Sequence, residues 1–205
     1  ELNQNYVLVR ITYSQLLQSM GRNEEAFAQI EQARQLDPLD AGIAMNVGDF
    51  FYFTRRYDEA VAHYSRTLEQ NPDFQPVALK LVRVHTKTGD FAEAEKILRT
   101  TGEVVRGRET SLAAWGRLHA AAGRRAQALK VIGELKVQAT KRYIPPYTFA
   151  EIHGLLGDRD EAFAWLNNAL EERTDWLVLL KINPLMDPMR ADPRFAELLR
   201  RVGLP

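Results

Sequence analysis

Cysteine is absent from this 205-residue sequence. That excludes disulfide frameworks, thiolate zinc sites and cysteine nucleophiles, and it leaves the redox compartment open. Neither sign of charge is in excess, because 27 Lys and Arg face 27 Asp and Glu. With no net field, no nucleic acid partner is expected for this region, and no attraction to an anionic membrane surface. No apolar run approaches the roughly 20 residues that cross a bilayer, so no membrane insertion is expected. The opening Glu1-Leu2-Asn3-Gln4 has neither an initiator methionine nor a signal-like segment, which is the expectation for a piece of a longer protein. A cytoplasmic location is expected, or a periplasmic one if a membrane segment lies upstream. The sequence has no GxSxG, no HExxH and no plausible Ser/His/Asp set, so no enzyme is expected within it.

What the sequence does have is a core and a period. It is 45% apolar, in the ordinary globular range. Gly21, Gly89, Gly123 and Gly157 lie on one 34-residue grid whose only exception is Arg55. Alanine fills a second grid at Ala26, Ala60, Ala94, Ala128 and Ala162, with Ile30, Tyr64, Leu98, Ile132 and Leu166 four residues later. Seven residues before each Gly/Arg position sits Ser14, Gly48, Val82, Gly116 or Ala150. Such self-similarity is the mark of a stacked repeat architecture.

The spacing also gives the local structure. Apolar stripes such as Val9, Tyr13, Leu16 and Leu17, or Leu112, Trp115 and Leu118, recur at helical intervals ahead of each glycine. The glycine can adopt positive φ and end that helix. A second stripe then begins, as at Ala26, Phe27, Ile30 and Ala33. Each unit therefore reads as a helical hairpin, with small residues on both helices marking a close crossing. Asp90 with Glu93 and Asp158 with Glu161 have capping-box spacing before the second helix. After residue 175 the period fails. Trp176 to Ile182 could form a short helix stopped by Pro184, and Asp192-Pro193 with Phe195, Leu198, Leu199 and Val202 reads as a final amphipathic helix ending at Gly203.

The 34-residue units, the small residue midway along the first helix, the alanine column and the prolines closing units at Leu36-Asp37-Pro38 and Asn71-Pro72 resemble the tetratricopeptide repeat family. The resemblance implies an all-α, right-handed α-solenoid of five hairpins with a C-terminal capping helix. Its array would cover 1–174, with repeats near 7–40, 41–74, 75–108, 109–142 and 143–174, and the cap would cover 175–205. Arg106, Thr140 and Thr174 stand where proline closes the first two units, and 102–109 is the expected irregular stretch. Glu1-Leu2-Asn3-Gln4 stands in the register of Gln35-Leu36-Asp37-Pro38, as though closing a preceding unit in an array that extends upstream. The tail from Pro184 to Phe195, with the fifth unit, is similar to the C-terminal end of bacterial multidomain regulators. In those proteins an array follows a winged-helix, serine/threonine kinase or nucleotide cyclase domain.

Two constellations yield no cofactor or metal site. His85, His119 and His153 share a column. Repeat-related side chains stay about a helix packing distance apart, roughly 8 to 10 Å, whereas imidazoles on one zinc ion bind at about 2.0 to 2.1 Å; packing is the expected role. Gly102 to Arg108 has the glycine spacing of a phosphate loop without the Lys-Ser/Thr pair. Carboxylate pairs such as Glu24-Glu25 and Glu171-Glu172 fall at helix starts or on polar faces.

The run Phe50-Phe51-Tyr52-Phe53 is different, because one helical face can bury only part of four consecutive aromatics. The resemblance implies that first helices line a concave groove and that the two positions after Phe51 face it. A peptide-binding groove is then expected from Asn46, Asp49, Tyr52, Phe53, Lys80, Arg83, Lys87 and Arg117. Aromatics beside cations suit a protein or peptide partner with an acidic segment. Of the family's two-Asn carboxylate clamp, only Asn46 and Lys80 fall in matching places, with Ile11, Gln15 and Pro76 at others. Protein-protein interaction and regulation is the implied function; the alternative is self-assembly into a homo-oligomer through the open N-terminal edge.

Overall fold

The computed structural model describes residues 2–104 and 109–204, and side chains over 7–101 and 110–204. Ten α-helices pair as five hairpins: α1 (Leu2–Ser19) with α2 (Asn23–Leu36), α3 (Ala41–Phe53) with α4 (Tyr57–Gln70), α5 (Gln75–Thr88) with α6 (Phe91–Val104), α7 (Glu109–Ala121) with α8 (Arg125–Ala139), and α9 (Pro146–Leu156) with α10 (Arg159–Glu171). The hairpins stack in sequence order as a right-handed solenoid. A last helix, α11 (Pro193–Val202), caps the final hairpin, burying Phe195 and Leu198 against Phe163, Leu166 and Ala169 of α10.

The two sequence grids mark the joints. All five grid alanines are fully buried, so the second helix of each hairpin can approach its partner closely. A Cβ added to Gly48 would run into the Tyr64 ring, and one added to Gly116 would stand 2.6 Å from Ile152 Cδ1 on the next first helix. Between the helices of a hairpin, Gly21, Gly89, Gly123 and Gly157 all take positive φ, and Arg55 takes the same left-handed conformation at φ 65. The exception on the glycine grid is thus a strained arginine, since a side chain there costs about 1 kcal/mol relative to glycine.

Four local expectations are corrected. Leu2 onward is helical rather than a turn closing an earlier unit. Gln4 stands where Pro38 stops α2 in the later register, and glutamine lacks the steric clash that ends a helix before proline. Gly102 to Val104 continue α6, while 105–108 lie outside the described residues. Asp158 gives no capping bond; its carboxylate accepts from Arg125 at 2.8 Å instead. Trp176 to Ile182 form only a 3-10 turn over Asp175–Leu179, because Asn183-Pro184 opens a second 3-10 turn over Pro184–Met189. Asp90, by contrast, does accept from the Glu93 N–H at 3.4 Å.

The feature that shapes the site is the path of the chain after α10. Arg173, at φ 54, turns it back, and residues 175–190 run along the face made by the first helices. Leu177, Leu179, Leu180, Leu185, Met186 and Met189 of this segment are buried. Leu179 joins the core of the first three hairpins, with Leu17, Phe51 and Leu81, whereas Leu177, Leu180, Met186 and Met189 join that of the fifth. The Ser19 hydroxyl donates to the Val178 carbonyl, tying α1 to a residue 159 positions away.

Candidate functional site

All eight residues of the expected groove sit on first helices. The structure links Tyr52, Phe53, Arg83, Lys87 and Arg117 to a network that includes the returning segment, and pairs Asp49 with Lys80 separately. Tyr52 is 0% exposed and Phe53 6%, so the aromatic pair is covered rather than presented to solvent. The Arg83 guanidinium lies over both rings, 4.7 Å from the Tyr52 centroid and 5.3 Å from that of Phe53, which is cation–π distance. From there Arg83 donates to Asn183 Oδ1 at 3.0 Å. Asp49 is filled locally, accepting from Tyr64 Oη and Lys80 Nζ, each at 2.7 Å. Arg117 donates through Nε to Glu151 Oε2 at 2.6 Å.

Asn183 is the centre of the buried polar part. Its amide nitrogen donates to Glu151 Oε1 at 2.7 Å and to Tyr147 Oη at 3.0 Å, and its Oδ1 accepts the Leu185 N–H. Glu151, with a side chain only 4% exposed, therefore faces Arg117 on one oxygen and Asn183 on the other, with Arg83 at 3.9 Å. A buried carboxylate is tolerable when both oxygens are hydrogen-bonded and a cation is adjacent. Burial, with Glu151 nearby, pushes the Tyr147 phenol far above its ordinary value, so Tyr147 is a neutral hydrogen-bonding group at any physiological pH.

Toward the solvent the network ends on Asp187. Arg55 grips it with two parallel bonds of 2.7 Å, Lys87 Nζ donates at 2.7 Å and Arg190 Nε at 2.8 Å. Lys87 also holds the Pro184 carbonyl at 3.0 Å. Burial acts to raise the Asp187 pKa, but the hydrogen bonds from Arg55, Lys87 and Arg190 outweigh it and hold the carboxyl well below the usual carboxylate range. The fork of Arg55 reaches Asp187 from the strained turn position, so the local backbone cost coincides with a specific contact.

Asn46 stands apart. Its amide donates to Gly42 O at 2.7 Å within its own helix, and it borders an open cleft of about 360 Å³ between α1 and α3, with Ile11, Ile43, Asp37 and Asp40. The three column histidines have separate surroundings: His85 lies 3.4 Å from Asp90, His119 stacks on Trp115, and His153 lies 3.5 Å from Asp158. Burial lowers the His119 pKa. Among the described residues no group of three or more His, Asp or Glu could hold a metal ion, and no helix is long and apolar enough to cross a membrane.

Sequence reasoning did not reach Arg55, Tyr147, Glu151, Asn183, Asp187 or Arg190. One signal was available for Arg55, the single break in the glycine grid. Pro184 was legible only as a helix stop, and nothing in the spacing of Asn183 and Asp187 indicates that their side chains meet residues about 100 positions earlier.

Comparison with known proteins agrees with this architecture. The tetratricopeptide repeat family matches residues 54–114, from the second hairpin into the fourth. A solved tetratricopeptide repeat protein from Parabacteroides merdae is 16% identical, with a TM-score of 0.50 over 97% of this chain and 79% of its own. A chain of the APC/C hetero-tetramer Cut9-Hcn1 is 14% identical, with a TM-score of 0.63 over 96% of this chain. This chain spans 42% of the length of that one. No curated protein matches the sequence. The fold is that of tetratricopeptide repeat proteins.

Proposed function

We propose that this chain is a protein-interaction module that takes an acidic group of a partner protein at the solvated end of its concave face, where Lys87 and Arg55 hold Asp187. Asn46, Asp49, Tyr52, Phe53, Lys80, Arg83 and Arg117 build the rest of that face. What carries the reading is that this face already grips a non-repeat stretch of polypeptide, through a backbone carbonyl at Pro184 and a carboxylate at Asp187. The chain's own segment is the resident occupant. Freeing its six buried apolar side chains would cost on the order of 10 kcal/mol at about 2 kcal/mol each, so a partner does not replace the whole segment. Exchanging the Asp187 contacts costs far less, because the side chains of Arg55, Lys87 and Asp187 are still partly solvated. A partner carboxylate therefore competes at the Arg55, Lys87 and Arg190 end. In this reading the chain is the regulatory, non-catalytic part of a larger cytoplasmic bacterial signalling or transcription-regulating protein, a context supported by the resemblance of its tail.

A labelled peptide copying residues 183–189 tests this. It is expected to bind Asp187→Ala about tenfold more tightly than the unaltered chain, equivalent to roughly 1.4 kcal/mol of relieved competition. Adding Lys87→Ala should remove the gain. Equal affinity for the unaltered chain and Asp187→Ala, or a gain that survives Lys87→Ala, would overturn the reading.

A further inference from the structure

The second helix of the fourth hairpin, α8, departs from its counterparts in charge and in cover. It carries Arg125, Lys130 and Lys136 against Glu134 alone, whereas acidic residues outnumber basic ones in α2, α4, α6 and α10. One side of α8 is ordinary, with Ala128, Val131, Ile132 and Leu135 in the core. The other leaves Leu129 42% and Val137 59% exposed, with Ala126 and Gly133 open to solvent beside them. Successive helical residues turn through about 100°, so these four form one stripe, bordered by exposed Lys136 on the Leu129 side and by exposed Lys130 on the Val137 side. The fourth hairpin lies between the third and the fifth, so this stripe is uncovered inside the array and not at a tip.

Four observations select the occupant. Glycine in the interior of a helix weakens it, and Gly133, unlike Gly48 and Gly116, has no atom within 4 Å of where a Cβ would stand. Nothing among the described residues makes use of the missing side chain; a helix laid along α8 would, since its backbone can come close at that point. Arg125 is paired with Asp158 at 2.8 Å, but Lys130 and Lys136 have no ion-pair partner among the described residues. Free lysines on both borders of an apolar stripe call for apolar side chains flanked by carboxylates. A second copy of the same face would set these lysines against their own equivalents. The second helices before and after α8 are acidic on balance, so a flat anionic membrane would meet like charge on both sides, whereas a single helix on α8 need not. We infer that the face of α8 running through Leu129, Gly133 and Val137 is a docking site for an acidic amphipathic helix of a partner protein. It shares no residue with the concave face and does not depend on the reading of that face.

Fluorescence anisotropy on the full chain tests it with a labelled, stapled helical peptide that carries leucine at heptad positions a and d and glutamate at e and g, beside a counterpart with lysine at e and g. The glutamate peptide is expected to bind and the lysine peptide not to. Gly133→Leu, and separately the pair Lys130→Glu with Lys136→Glu, are each expected to weaken binding about tenfold. Leucine is the better helix former, so Gly133→Leu should not lower the thermal midpoint, and its loss of binding is then not a loss of fold. No binding of the glutamate peptide at about 1 mM, or equal binding of the lysine peptide, would overturn the inference. Affinity unchanged in both variants would place the peptide elsewhere, the Lys87 end of the concave face included, and would overturn it too. So would flotation of the chain with phosphatidylserine vesicles that Gly133→Leu abolishes, which would assign the stripe to a membrane.

Discussion

The two ends of the solenoid meet solvent in opposite ways. At the C-terminal end, α11 covers the last hairpin, and the segment before it fills the concave face with leucine and methionine side chains and a polar network centred on Asn183. At the N-terminal end, α1 offers solvent Val9, Tyr13 and Leu16, whose equivalents on α3 and α5 are buried. The α1 stripe lies on the side that the preceding hairpin covers in the second and third units, whereas α11 packs on α10, the second helix of the last unit. A stacked array needs terminal elements with polar outer faces. Here the last hairpin has such an element in α11, and among the described residues none lies over Val9, Tyr13 and Leu16 of α1.

The strongest test of that contrast is a matched pair of truncations. Leu180→Ala, in the returning segment, should cost about 2–5 kcal/mol, as for buried leucines generally. In a chain of this size that lowers the thermal midpoint by roughly 5–15 °C. Leu16→Ala on α1 should stay within about 0.5 kcal/mol when measured at low concentration. Comparable losses at the two sites would show that the ends do not differ in this way.

A second measurement isolates the polar end of the segment. The Asp187 carboxyl is depressed in the folded chain, so its contribution is present above the unfolded value near pH 4 and is lost as the pH falls through the lower folded value. Asp187→Asn should therefore be less stable than the unaltered chain by about 1 kcal/mol at pH 7. The gap in urea midpoints should narrow as the pH is taken below about 4. A gap independent of pH would mean that the charge is not what Arg55, Lys87 and Arg190 hold.

The smallest effect concerns Arg55 itself. Both Arg55→Gly and Arg55→Ala lose the pair with Asp187, but only glycine relaxes the positive φ. Arg55→Gly should be the more stable of the two by about 1 kcal/mol in chemical denaturation. Equal stability would remove the argument that this backbone position is strained.

Most of the scaffold was legible because its determinants are local and recur. The alanine grid, the Gly48 and Gly116 positions and the turn glycines each report a close approach or a backbone angle, and each repeats every 34 residues. The groove residues were placed on the correct helices for the same reason. Their partners were not legible, because Asn183 and Asp187 occur once, in a stretch without period, and meet Arg83 and Lys87 at separations of 100 residues. A backbone reversal at Arg173 decides that encounter, and no spacing rule encodes it. The uncovered seam of α1 was visible as a helical stripe, but a sequence does not distinguish a stripe that is covered from one that is not.

The bond from Ser19 to Val178 changes what kind of object the solenoid is. An array whose members touch only their neighbours stretches and twists like an open spring and comes apart from whichever tip is weaker. With residues 175–190 lying lengthwise inside the coil and fastened to its first, middle and last turns, that strut resists both extension and untwisting. Loss of structure at either tip must then tear contacts along the whole inner wall, so the five turns are expected to melt as one cooperative body rather than one after another.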